Sequence, residues 1–256
     1  MPDSNEETAK RTELDRLIEE YLEHLEIERQ SSPLTIRNYR HYLGRFSDWF
    51  KKQNFKAKPS SIDLKNIKKY RVYLARFTAP NGQTLSRSTQ AYHVTALRAF
   101  LKWLIKNDYE VLSPEKIDLP KTRIRSVKFL SADQIERLLA QPLPSKKTGL
   151  RDKAILEMLF STGMRVSELV SLNRDQIDLK RREFGITGKG EKTRVVFLSE
   201  RAAKWLKKYL ETRQDSWKPL FIHYRGKEDE VVEGEKKRLT ARSVQRIVDK
   251  LSLIHI

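Results

Sequence analysis

The stretch that decides the fold is Ser161-Thr162-Gly163-Met164-Arg165-Val166-Ser167-Glu168-Leu169, read together with the turn Gly188-Lys189-Gly190 that follows it. Upstream, Ala154, Ile155, Met158 and Leu159 recur at helical spacing, and Gly163 suits the C-cap that stops such a helix. Arg165 falls just after the break, ahead of a short helix carrying Glu168, Leu169 and Leu172. The apolar period then drops from about 3.6 to about 2. Phe184-Gly185-Ile186-Thr187 and Thr193-Arg194-Val195-Val196-Phe197-Leu198 therefore predict two strands around Gly188-Lys189-Gly190-Glu191-Lys192. Ser131 caps an earlier helix bearing Ile135, Leu138 and Leu139, and helix returns with Ala202, Trp205, Leu206, Tyr209 and Leu210, then with Ser243 to Val248. This half of the chain reads as helices around one small antiparallel sheet.

Working back towards the N-terminus, Thr12 to Asn107 reads as almost entirely helical. Leu14, Leu17, Ile18, Tyr21, Leu22 and Leu25 form one apolar stripe, and Ser32-Pro33 is a helix start with an N-cap followed by proline. Two helices share a pattern: Ser32, Thr35, Tyr39, Leu43, Phe46, Trp49 and Ser86, Thr89, His93, Leu97, Phe100, Trp103 fall at identical spacings. The large residues at the ends of this pattern predict core. The starts predict phosphate contacts, because Arg37, Tyr39 and Arg40, and Ser86, Arg87, Ser88, Thr89 and Gln90, gather where helix N-termini already favour anions. His93 is expected to pack or bond locally. Between the halves, Ser113 to Lys128 holds two prolines and several bases, which suits an extended connector. Lys121, Arg123 and Arg125 in it can lie along a DNA backbone, or the connector can be a plain solvated linker.

Composition sets the class of partner. The chain of 256 residues is long enough for two domains, and Lys+Arg 52 against Asp+Glu 34 leaves +18, a surplus that favours a polyanion. Residues 1–29 hold ten acids and four bases, net −6, so residues 30–256 carry +24. There is no cysteine, which rules out disulfides and thiolate metal sites and predicts a reducing compartment. The polar, acidic start does not resemble a signal peptide, and no run of about 18 apolar residues offers a membrane span. A cytoplasmic protein without membrane contact is expected.

Arg165 and Lys189 are the residues whose types carry chemistry. A guanidinium fork grips two phosphate oxygens at once and stays charged near neutral pH. A lysine at a glycine-flanked hairpin tip can approach a backbone closely and give a proton to a departing oxygen if neighbouring cations lower its pKa. Together they form a two-cation grip on a phosphodiester. A two-metal nuclease would need clustered carboxylates, and none is evident, so no metal and no cofactor are expected.

The string Ser161 to Leu172, the hairpin Ile186 to Leu198 and the later Ser243-Val244-Gln245-Arg246-Ile247 resemble a tyrosine recombinase of the Xer and phage-integrase type. The resemblance runs from about residue 12 to residue 250. It implies a mainly α protein: a helical, SAM-like core-binding domain over 12–108, a basic linker over 109–128, and an α+β catalytic domain with a small antiparallel sheet over 129–256. It further implies a C-shaped clamp on double-stranded DNA, strand cleavage through a covalent 3′-phosphotyrosine, and a homo- or hetero-tetramer of protomers on DNA. By residue, Arg165 matches the family's first catalytic arginine, Lys189 its hairpin lysine, and Glu168 the acid one turn on, expected to orient its neighbours. Lys192, Arg194, Arg242, Ser243 and Gln245 are expected DNA contacts.

The family's remaining residues, a His-x-x-Arg helix, a further His or Trp and the tyrosine nucleophile, should follow the Ser243-Val244-Gln245 helix. His223 and Tyr224 precede it, and His255 has no arginine three residues on, so none is assigned a role; Tyr209 lies on a helix stripe and is expected in the core. The ending, Leu251-Ser252-Leu253-Ile254-His255-Ile256, abandons the charged helical character before it and matches a translated sequencing adapter. The expectation is a fragment whose residues 251–256 are not native, and which binds DNA but lacks its nucleophile. The competing readings are a non-catalytic DNA-binding module at recombination sites and, less well matched to the small first domain, a type IB topoisomerase.

Overall fold

The computed structural model describes residues 12–53, 55–119, 129–188, 193–226 and 234–252. The chain divides into two compact units, residues 1–126 and 127–256. In the first, four helices are set by local capping chemistry. Helix α1 (Glu13–Ile27) starts at a capping box in which Thr12 and Asp15 bond reciprocally. Helices α2 (Pro33–Lys52) and α4 (Arg87–Lys106) start at Ser32 and Ser86, whose hydroxyls accept the N–H of Thr35 and Thr89. Helix α3 (Leu64–Arg76), capped by Asp63, fills the interval between them. The segment is less continuously helical than its periodicity predicts, because residues 77–86 form a turn around a Thr78–Thr84 bridge, with Gly82 at φ 76.

The apolar stripes meet in one core. Leu43, Phe46, Trp49, Leu97 and Phe100 are buried as expected, with Leu14, Leu17, Phe50 and Leu104, while Trp103 is half-buried against Tyr21. Tyr109, Val111 and Leu112 pack on this core and Ile117 is inside it, so residues 109–117 belong to the first unit's packing rather than to an extended connector. His93 is buried and faces the Tyr70 hydroxyl through Nδ1 at 3.3 Å. The Asp15 carboxylate straps α1 to α2 through Ser47 (2.6 Å) and Lys51 (2.7 Å). Burial raises its pKa, but those two partners and Thr12 outweigh that and hold it at about 2.

The second unit wraps a smaller core of Ile155, Met158, Leu169, Phe184, Val196, Leu206, Tyr209, Leu220 and Val244. Helices α5 (Ala132–Ala140), α6 (Lys147–Thr162) and α7 (Val166–Ser171) precede strands β1 (Glu183–Thr187) and β2 (Thr193–Phe197), then α8 (Glu200–Glu211) and α9 (Ala241–Ser252). Ser131 caps α5 as the sequence predicts. The strands pair antiparallel, with Glu183 opposite Phe197 and Thr187 opposite Thr193. Tyr209 is fully buried. Helix α7 has only six residues, too few to be stable alone. It is held from outside: Arg238 donates to the Val170 and Leu172 carbonyls, both at 3.0 Å, and to Asn173.

Candidate active site

Three elements of the second unit bring the candidate residues together. Helix α6 ends at Gly163, in the left-handed region at φ 60, where its N–H returns to the Leu159 carbonyl at 3.0 Å. The chain turns through buried Met164, so that Arg165 becomes the residue before α7 with its side chain 65% exposed. Ser161, near the end of α6, accepts the Ser199 N–H at 2.7 Å and donates to the Phe197 carbonyl. The glycine stop is thereby tied to the exit of β2.

Glu168 is the hub. Its side chain is 5% exposed, and both carboxylate oxygens are shared between two arginines. Oε2 accepts the Arg165 backbone N–H at 2.8 Å and Nη2 of Arg194 at 2.9 Å; Oε1 accepts Nη1 of Arg165 at 3.0 Å and Nη1 of Arg194 at 3.2 Å. Burial alone would raise its pKa, yet the Arg165 N–H and the two guanidiniums dominate and hold it at about 2. It is ionised at any working pH and is no proton donor. Arg165 uses one guanidinium nitrogen on Glu168, and no described residue accepts from its Nε or Nη2. That edge, on a side chain fixed at its root, is what a phosphate would need.

Lys189 and Lys192 at the hairpin tip, and Lys121, Arg123 and Arg125 in the connector, lie outside the described residues. Arg37 is exposed in the second turn of α2, and Arg87 and Ser88 are exposed in the first turn of α4. Others have work inside the fold: Tyr39 is half-buried against Tyr21, Arg40 pairs with Glu19, and Gln90 donates to the Leu85 carbonyl at 2.8 Å. Arg242 and Gln245 are exposed on α9, whose start repeats a pattern seen twice before. The hydroxyls of Thr240 and Ser243 lie 2.9 Å apart, as do Ser32 and Thr35 and Ser86 and Thr89. Thr240 was not singled out from sequence, although its Thr-x-x-Ser spacing carries the signal. Arg238 was missed as well: it pairs locally with Glu235, but the partners that tie it to α7 lie 65–68 residues away. Tyr224 has its pKa raised to about 12 by burial, the opposite of what an activated nucleophile needs. Among the described residues no group of three or more His, Asp or Glu is placed to hold a metal ion.

Comparison with known proteins accounts for both units. The phage integrase family matches residues 128–253, and the phage integrase N-terminal SAM-like domain matches residues 18–108. A tyrosine recombinase XerC of Thermodesulfovibrio yellowstonii is 31% identical over 244 residues, covering 91% of this chain and 74% of that protein. The chain belongs to the phage integrase family. A XerC of Escherichia coli O157:H7 is 32% identical, covering 92% of this chain and 74% of that protein. A XerD of Lacticaseibacillus casei is 30% identical, covering 82% and 71%. These likenesses make the protein an Xer-like tyrosine recombinase by family. Among solved folds, a Tn1549 transposon integrase in complex with a circular intermediate DNA superposes with TM-score 0.68 at 16% identity, covering 94% of this chain and 79% of that one. A lambda integrase dimer bound to a COC′ core site gives 0.65 at 14% identity, covering 93% and 80%. The recombinase fold of the family is therefore this chain's fold: helical SAM-like unit first, helical unit with a two-stranded sheet second. No helix among the described residues is long and apolar enough to cross a membrane.

Proposed function

We propose that this protein is a site-specific DNA recombinase that grips a scissile phosphodiester with Arg165 and Lys189, in a reaction that cuts and rejoins strands through a 3′-phosphotyrosine. In that step the tyrosine oxygen bonds to phosphorus as the bond to the 5′-oxygen breaks. The phenol gives up its proton, and the departing oxygen takes one, for which Lys189 is the candidate donor. Cations fixed beforehand stabilise the charge that builds on the phosphoryl oxygens. Glu168 orients these partners and transfers no proton. The observation that carries this reading is the Arg165 side chain, clamped at its backbone and at one nitrogen by a buried carboxylate while its other edge faces outward.

The units carry the remaining candidate contacts to double-stranded DNA: Arg37, Arg87 and Ser88 near the helix starts of the first, Arg242, Ser243 and Gln245 on α9, Lys121, Arg123 and Arg125 of the connector, and Lys192 of the hairpin. The integrases of like fold that were solved on DNA support DNA as the partner. Assembly of several protomers on DNA belongs to the same reading.

Fluorescence anisotropy with a labelled duplex tests the binding. Affinity should fall at least about tenfold between roughly 50 and 200 mM salt, because several Lys and Arg release counterions. Binding that ignores salt, or no binding, overturns the reading.

A further inference from the structure

We propose that Arg194 is a positioning residue: it occupies the Glu168 carboxylate so that Arg165 keeps an edge free for phosphate, and it does not itself touch DNA. This rests on the reading of Arg165 as a phosphate ligand.

The two arginines meet Glu168 unequally. Arg194 lays two nitrogens on the two carboxylate oxygens, Nη1 on Oε1 at 3.2 Å and Nη2 on Oε2 at 2.9 Å, a fork-on-fork pair. The edge of Arg194 best shaped to take a phosphate is thus already used. Arg165 lays only Nη1 on the carboxylate, at 3.0 Å, and its second bond comes from its backbone. Its side chain is 65% exposed against 42% for Arg194.

Charge explains why two are needed. A buried carboxylate must be neutralised, because the charge left alone in a poorly solvated site is costly. With two guanidiniums on one carboxylate the cluster holds a net positive charge, and this excess is available to a phosphate. Without Arg194, Glu168 has Arg165 as its only guanidinium partner among the described residues. The Arg165 fork would then close on both carboxylate oxygens, the net charge would fall to zero and the outward edge would be lost. Arg194 comes from β2, 26 residues on from Glu168, so the hairpin itself supplies the charge that leaves Arg165 available.

The test is the salt dependence of duplex binding, measured well below the melting temperature of each variant. Arg194→Gln should weaken binding about tenfold and make the plot of log affinity against log salt shallower by about 0.9, the value of one phosphate contact. Adding Glu168→Gln to that variant should restore both, since nothing then sequesters Arg165. In an Arg165→Gln background, Arg194→Gln should add no further loss. A direct Arg194–phosphate contact predicts the reverse: no restoration by Glu168→Gln and a further shallowing by about 0.9 in the double variant. Either result overturns the proposal. If Arg194→Gln lowers the melting temperature but its folded form keeps the original salt slope, the role is structural only and the proposal is also overturned. An Arg165→Gln protein that binds like the original removes the phosphate reading and this inference together.

Discussion

Lowering the pH from 7 to 5 should loosen the first unit through one buried histidine. His93 is 1% exposed, its Nε2 has no partner among the described residues, and its Nδ1 faces the Tyr70 hydroxyl. Burial first, then the nearby Arg45 and His41, push its pKa from 6.5 down to about 4. The folded value lies below the unfolded one, so the unfolded chain takes up the proton first. The stability from keeping His93 neutral is fully present above pH 6.5 and is lost as pH falls from 6.5 towards 4. At about 1.36 kcal/mol per pH unit the whole gap is worth roughly 3 kcal/mol, of which about 2 kcal/mol falls between pH 7 and pH 5. His41, its ring 5.8 Å from that of His93, has its pKa lowered too, mainly by burial, and acts in the same direction. Asp15, held at about 2, titrates below this window. The assay is hydrogen exchange of α4 peptides at pH 7, 6 and 5, corrected for intrinsic rates, on the original protein and on His93→Gln. Protection of α4 should drop across the series in the original and stay nearly level in the variant. A level series in the original, or an equal drop in both, refutes the reasoning.

Three further outcomes follow from geometry. In Gly149→Ala a Cβ would stand 1.8 Å from the Leu143 carbonyl oxygen, so the start of α6 must shift; a loss of about 1–3 kcal/mol should appear as a melting temperature several degrees lower, and an unchanged one contradicts it. Arg213 is fully buried on Asp215, with Nε at 2.7 Å, and on the Pro219 and Leu220 carbonyls. Arg213→Met leaves Asp215 paired with Arg174, so the loss in urea unfolding should be about 1–3 kcal/mol, from the carbonyls left unpaired, and an unchanged stability would show that these acceptors find other partners. Ser32→Ala and Ser86→Ala should each cost about 1 kcal/mol and should add, since they cap separate helices; a single variant without measurable loss means that water replaces the cap.

What the sequence made legible follows the range of the interactions. Ser32, Ser86, Ser131 and Gly163 act within one helical turn, so capping chemistry located them directly, and the strand pair was marked by its change of period. Helix α3 falls within the segment read as helical but gave no stripe of its own, because its buried Ile67, Tyr70 and Leu74 are interleaved with Lys65, Lys68, Lys69, Arg71 and Arg76. At the candidate site, Arg165 and Glu168 are close in sequence and carry a recognisable motif. The second guanidinium on Glu168 had no such signal: Arg194 reads as one more base on a basic hairpin, and only tertiary structure turns it towards the carboxylate. The same holds for the distant partners of Arg238, the Val170 and Leu172 carbonyls and Asn173, which no local spacing foretells. Lys189, legible as a turn lysine, lies outside the described residues.

The brevity of α7 has a consequence of its own. Its six residues take their shape from the Glu168 cap at one end, from Arg238 at the other and from Leu169 seated in the core between them, not from helical propensity. With so few backbone bonds of its own, such a segment loosens when the Arg238 anchor lets go. Damage near Gly234 or Leu239, far along the chain from Arg165, should therefore disturb the setting of the proposed phosphate ligand. Screens for inactive variants should find hits in that remote stretch whose only defect is a missing splint.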